Sequence, residues 1–266
     1  MVSQLQPSSD SDLFYPESDG KPMADNTKQF RWIVEIQQNL VWLFANEPNV
    51  FVAGDLLWYP VQGNKNIVQA PDVLVVFGRP KGDRGSYKQW EEANIAPQVV
   101  FEILSPGNTK AEMNRKLLFY DRYGVEEYYL YDPERNELSG WIRHEEFLDV
   151  IDSMADWVSP RLGIRFDLSG DELQIYRPDG EPFLSYTEIA QRAQQQRLRA
   201  EQAEQQIEQE RLRAEQAEQQ IEQERLRAEQ ERQRAEQERL RAEQERQRAE
   251  RLAQQLRELG IDPDQD

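Results

Sequence analysis

The feature that most constrains this chain is a break in composition near residue 190. All six tryptophans lie at or before Trp157, and neither proline nor glycine occurs between Phe183 and Leu259. An aromatic-rich body with turn residues throughout gives way to a uniform polar tail. About 190 residues suffice for one hydrophobic core. The tail is repetitive: Arg197 to Glu210 reads RLRAEQAEQQIEQE, Arg211 to Glu224 repeats it unchanged, and degenerate copies run to about Glu250. A period of two heptads suggests a coiled coil. The seam is poor, however, because Ala200, Ile207, Ala214 and Ile221 are followed three residues on by Ala203, Glu210, Ala217 and Glu224. Helix propensity and Arg/Glu pairs at helical spacing leave two readings open, a solvated single helix of roughly 100 Å and a weak coiled-coil surface.

The resulting division is a lead-in over 1–24, a folded domain over 25–190, a repeat helix or coiled coil over 191–259 and a disordered tail over 260–266. The N-terminus has neither a basic start nor an apolar core, and no stretch reaches the roughly 20 apolar residues of a membrane span, so a soluble, cytoplasmic protein is expected. The absence of cysteine excludes disulfides and thiolate zinc sites, and the single histidine, His144, argues against a histidine-based triad. Residues 1–190 carry 17 Lys and Arg against 31 Asp and Glu, a net −14, while 191–266 carry 15 against 19, a net −4. A body this acidic repels nucleic acid at long range unless its cations cluster locally.

Within the body, Asn26 or Thr27 can cap a first helix, which carries Phe30, Ile33, Val34, Leu40, Val41 and Phe44 at helical spacing and ends before Pro48. Strands are expected over Val50–Tyr59, Val73–Phe77 and Gln98–Leu104. Ser105-Pro106-Gly107 then breaks the chain, and Thr109-x-x-Glu112 has the form of a capping box for a second helix that stops at Gly124. A fourth strand runs from Glu127 to Tyr131, with shorter strands near Trp141, Leu148–Ile151, Ile164–Leu168 and Leu173–Tyr176. The order predicts an α/β (α+β) domain, a mixed sheet with helices packed on it.

Alternation sets Glu102 on an apolar face of its strand, with Val100 and Leu104, and Asp72 opens the neighbouring apolar run. An ionised carboxylate in such a place needs a cation or several donors. Two carboxylates at core strands and Lys116 on the next helix form a set suited to metal-assisted phosphodiester cleavage. The competing reading of Lys116 is a surface ion pair with Glu112.

Ala70-Pro71-Asp72-Val73, then Val100-Phe101-Glu102-Ile103-Leu104-Ser105-Pro106-Gly107-Asn108-Thr109, then Lys116-Leu117-x-x-Tyr120-x-x-x-Gly124-Val125-x-Glu127-Tyr128, resemble the Uma-two family of bacterial restriction-endonuclease-like proteins. So do Tyr15-Pro16 to Asp25, the segment Ser86 to Glu92, and Leu173 to Glu188. The resemblance implies a PD-(D/E)XK nuclease core and a Mg²⁺- or Mn²⁺-dependent endonuclease acting on DNA. It implies Asp72, Glu102 and Lys116 as catalytic residues, with Asp72, Glu102 and the main-chain carbonyl of Ile103 as metal ligands. The pattern's lysine belongs two residues after Glu102, where this chain has Leu104, so Lys116 replaces it from the helix. Glu35 is a possible accessory carboxylate, and Gln29 stands where relatives often carry histidine. Arg79, Lys81, Arg84 and Lys88 form a basic loop able to contact DNA phosphates. The alternative is an inactive nuclease fold serving as an interaction module, with the C-terminal helix supporting a homo-oligomer such as a dimer.

Overall fold

Two continuous apolar runs, Val73–Phe77 and Val99–Ile103, form strands β3 and β5 at the centre of the molecule, and every residue of both except Phe77 is buried. Strands sealed on both faces read as unbroken apolar sequence rather than as alternation. The computed structural model describes residues 14–20 and 22–258, so the expectations for 1–13 and for the 260–266 tail lie outside the described residues. The chain divides into two units, Met1–Ala190 and Gln191–Asp266.

In the first unit, α1 (Thr27–Leu43) is capped by Asn26, whose side chain accepts from the Gln29 amide at 2.9 Å. Next come β1 (Val50–Gly54), β2 (Trp58–Tyr59), β3, β4 (Tyr87–Lys88), a 3₁₀ turn over Gln89–Glu91, and β5. Then α2 (Lys110–Arg122) follows its Thr109 cap and leads to β6 (Glu127–Asp132), β7 (Glu137–His144), β8 (Phe147–Val150), β9 (Arg165–Asp167) and β10 (Gln174–Tyr176). The main sheet has the order β1-β3-β5-β6-β7-β8, with only β5 and β6 parallel. It is a mixed sheet within a mixed α/β body, as the element order predicts. β9 pairs with β10, and β2 with β4, in separate two-stranded sheets.

The expected strand Val50–Tyr59 is divided. Asp55 takes φ 48°, a left-handed conformation that ends the ladder between β1 and β2. The second helix ends as expected, because Gly124 takes φ 90° directly after the Tyr123 cap.

Strand periodicity distributes the core to the two faces of the sheet. Val73, Val75, Val99, Phe101 and Ile103 pack with Trp32, Ile33, Ile36 and Leu40 of α1. Leu74, Val76 and Val100 face the other way and pack with Tyr120, Val125, Tyr128 and Trp58. A third helix, α3 (Tyr186–Glu258), starts at a full capping box: Ser185 Oγ accepts from the Glu188 amide, and Glu188 Oε2 accepts from the Ser185 amide at 2.8 Å. Within the second unit Leu198, Ile207, Leu212 and Ile221 are exposed. Arg/Glu pairs such as Arg211 with Glu215 and Arg246 with Glu250 run along it.

Candidate active site

The pairing register brings the two carboxylates together. Val73 lies opposite Phe101 and Leu74 opposite Val100, so one further step sets Asp72 against Glu102. By the period of two, Asp72 shares a face with Leu74, and Glu102 with Val100, which is the face covered by α2. Asp72 lies just before β3, and its carboxylate takes the place of a strand partner. Its Oδ2 accepts from the Ile103 amide at 2.6 Å.

On α2, Met113, Lys116 and Tyr120 recur at helical spacing, and Met113 and Tyr120 are buried. Lys116 therefore belongs to the inward face. Its Nζ donates to Glu102 Oε2 at 2.7 Å, across an ion pair whose side chains are 12% and 2% exposed. The alternative surface pair with Glu112 is not the one formed. The Tyr120 hydroxyl donates to Glu102 Oε1, so both oxygens of this carboxylate have donors.

Burial drives the pKa of Asp72 well above the ordinary carboxylate value, and the negative charge of Glu102 pushes it further the same way. Burial acts to lower Lys116, but Glu102 and Asp72 outweigh it, so its pKa is raised and the side chain stays an ammonium at neutral pH. Lys116 can thus donate a hydrogen bond and stabilise negative charge, but it cannot accept a proton there.

Asp72 and Lys116 open onto a cleft of about 630 Å³, lined also by Asp19, Asp25, Gln29, Asp55 and Glu112, while Glu102 lies behind Lys116 and is not part of the lining. The expected loose lead-in forms part of its wall. Tyr15 packs edge-on against Tyr59, its hydroxyl accepts from the Gly63 amide at 2.6 Å, and Tyr59 donates to the Pro16 carbonyl at 2.8 Å. Isolated aromatic anchors of this kind carry no periodicity that a sequence reading could detect.

Three further residues belong to the site that the sequence reading did not assign to it. Gln29 is buried, and its amide donates to the Ile103 carbonyl at 2.8 Å while its oxygen accepts from the Asp25 amide at 2.8 Å. Asp55 lines the cleft, and burial, then the charge of Asp19, raises its pKa. Tyr120 enters the sequence reading only as part of the family pattern, with no role attached. The signal for Asp55 was its position at the break after β1, and for Gln29 its place in the first turn of α1.

The remaining candidates lie elsewhere. Glu35 is not among the residues lining the cleft. It stands six residues after Gln29, about a third of a turn away around α1, where burial and the nearby Glu188 and Glu172 lift its pKa to about 7 against the pull of Arg31. Arg79 and Arg84 both clasp Glu92, at 2.6 and 2.7 Å, and Arg84 also stacks on Phe51. Lys81 donates to the carbonyls of Phe44 and Ala45, and Lys88 lies 3.6 Å from Glu91. All four cations of the basic loop thus have partners within the fold.

Residues 19–169 match the Uma2 family, described as "putative restriction endonuclease". The chain belongs to this family. Its place in Uma2 makes it a nuclease-like protein with the restriction-endonuclease type of core expected from the motif order. A crystal structure of a "putative nuclease belonging to DUF820" from Anabaena variabilis is similar at 18% identity, over 54% of this chain and 79% of that one, with a TM-score of 0.39. No curated protein matches the chain. Among the described residues, no helix of this Uma2 member is long and apolar enough to cross a membrane.

Proposed function

We propose that the cleft hydrolyses DNA phosphodiester bonds with the help of a divalent cation, Mg²⁺ or Mn²⁺. The observation that carries this reading is the meeting of buried Asp72 and Glu102 with Lys116, at a cleft that Asp72 and Lys116 line. The donor set suits a hard cation: two carboxylates and a main-chain carbonyl, with Asp72 raised in pKa by burial and then by the like charge of Glu102. Among the described residues, no three Asp, Glu, His or Cys side chains form a metal-holding group. Asp72, Glu102 and the Ile103 carbonyl would hold the ion, with water supplying the rest of its shell. When bound, it supplies a Lewis acid that lowers the pKa of water and neutralises phosphoryl charge.

Asp72 is held in place by the Ile103 amide, and Gln29 fixes the Ile103 carbonyl from the other side. Lys116, kept as an ammonium, orients the attacking water and stabilises charge developing on the phosphate. Arg79, Lys81, Arg84 and Lys88 contact the DNA backbone while keeping their internal partners, which limits the strength of that grip. Glu35 lies outside this scheme.

A second reading, a nuclease fold retained as an interaction module, is favoured by the donors already present on both Glu102 oxygens. Plasmid incubated with Mg²⁺ or Mn²⁺ and wild type, Asp72→Ala or Glu102→Ala separates the two. The nuclease reading expects nicking by wild type alone. Equal nicking by all three, or by none, would sink it.

A further inference from the structure

Glu102 is held by two donors of very different freedom. Tyr120, on Oε1, is fully buried, its ring stacked on Trp58 at 6.4 Å and packed against Tyr128 at 5.1 Å and Phe119 at 5.9 Å. A ring enclosed on those sides cannot follow a moving partner without opening the core. Lys116, on Oε2, lines the cleft and carries its charge on a flexible four-carbon stem.

From this asymmetry we propose that Tyr120 is a positioning residue that selects which oxygen of Glu102 can be surrendered. Glu102 opens only Oε2 to the cleft, and only when Lys116 leaves it. This rests on the reading of the cleft as a divalent-cation centre and goes beyond it, because cation entry and Lys116 release become one event. Lys116 stays in the field of Asp72 and Glu112 after release, so it remains beside the cleft rather than swinging into bulk solvent. An orienting ammonium would thus be delivered to the attacking water only when the site is loaded.

The test is a double-mutant cycle on Mn²⁺ affinity, measured by calorimetry on the full chain as wild type, Tyr120→Phe, Lys116→Met and the double variant. Lys116→Met removes a like charge in either background. With Tyr120 in place it also frees Oε2, whereas in Tyr120→Phe the carboxylate can already turn its Oε1 to the cleft. The tightening caused by Lys116→Met is therefore expected to be about three- to tenfold larger with Tyr120 than with phenylalanine. Equal tightening in both backgrounds overturns the selection by Tyr120 and leaves the cation centre standing. No Mn²⁺ binding by the wild type overturns the cation centre itself, and this proposal with it.

Should Tyr120→Phe fail to fold, wild type labelled with ¹⁵N-lysine gives a second readout. The Lys116 ammonium, slow to exchange without metal, should lose that protection as Mg²⁺ saturates. A protected signal at saturation overturns the proposal.

Discussion

Asp72 sits where burial and a neighbouring carboxylate both disfavour its charge. Replacing it with asparagine keeps an acceptor for the Ile103 amide while removing the repulsion. Asp72→Asn is therefore expected to raise metal-free stability by about 1 kcal/mol while abolishing nicking, a trade common at active sites. Denaturant unfolding in chelator checks this, and a loss of stability would show that the charge is compensated in the folded state. Glu127 makes the contrast. It is also buried, but it accepts from Tyr129, Ser159 and the Arg161 amide, so its network is structural. In a sequence the two carboxylates look alike, each at the start or middle of an apolar strand. What separates them is the set of donors brought in by distant segments.

At the scale of elements, α1 divides its polar residues between two tasks. Gln29 reaches the β5 carbonyl, and Glu35 lies with Arg31, Glu172 and Glu188. Burial raises Glu35 from 4.5 to about 7, so the folded state binds more protons than the unfolded chain between those values. Stability from this group is thus lost as pH rises through that window, and the full penalty stands above pH 7. Glu35→Gln should flatten this part of the profile and be more stable than wild type at pH 8 by about 2 kcal/mol, after allowing for solvent screening of a half-buried side chain. Thermal unfolding from pH 4 to 8 checks it, and parallel profiles would contradict it.

The strands β3, β5 and β6 and both body helices were legible because apolar runs and caps are local signals. β2, β4 and the anchored lead-in were not, since two-residue pairings and lone aromatic contacts depend on distant partners. Asp72, Glu102 and Lys116 were legible as a set. Tyr120 was not assigned to it, because it looks in sequence like an ordinary core residue, and Gln29 was marked only as standing where relatives often carry histidine.

At the scale of the whole molecule, the body carries a net −14, so on the proposed reading the bound cation is what lets phosphate approach the cleft. The tail, nearly balanced in charge with exposed Leu and Ile at repeating positions, is proposed as a dimerisation element. Sedimentation of the full chain should then give a dimer and residues 1–190 a monomer, whereas identical monomeric masses would rule this out. The account stands most directly on whether Asp72 and Glu102 share an ion. Crystals of the full chain soaked in Mn²⁺ should show one anomalous peak between the two carboxylates, lost in Asp72→Asn. A soaked crystal with Mn²⁺ bound elsewhere and nothing between them would contradict it.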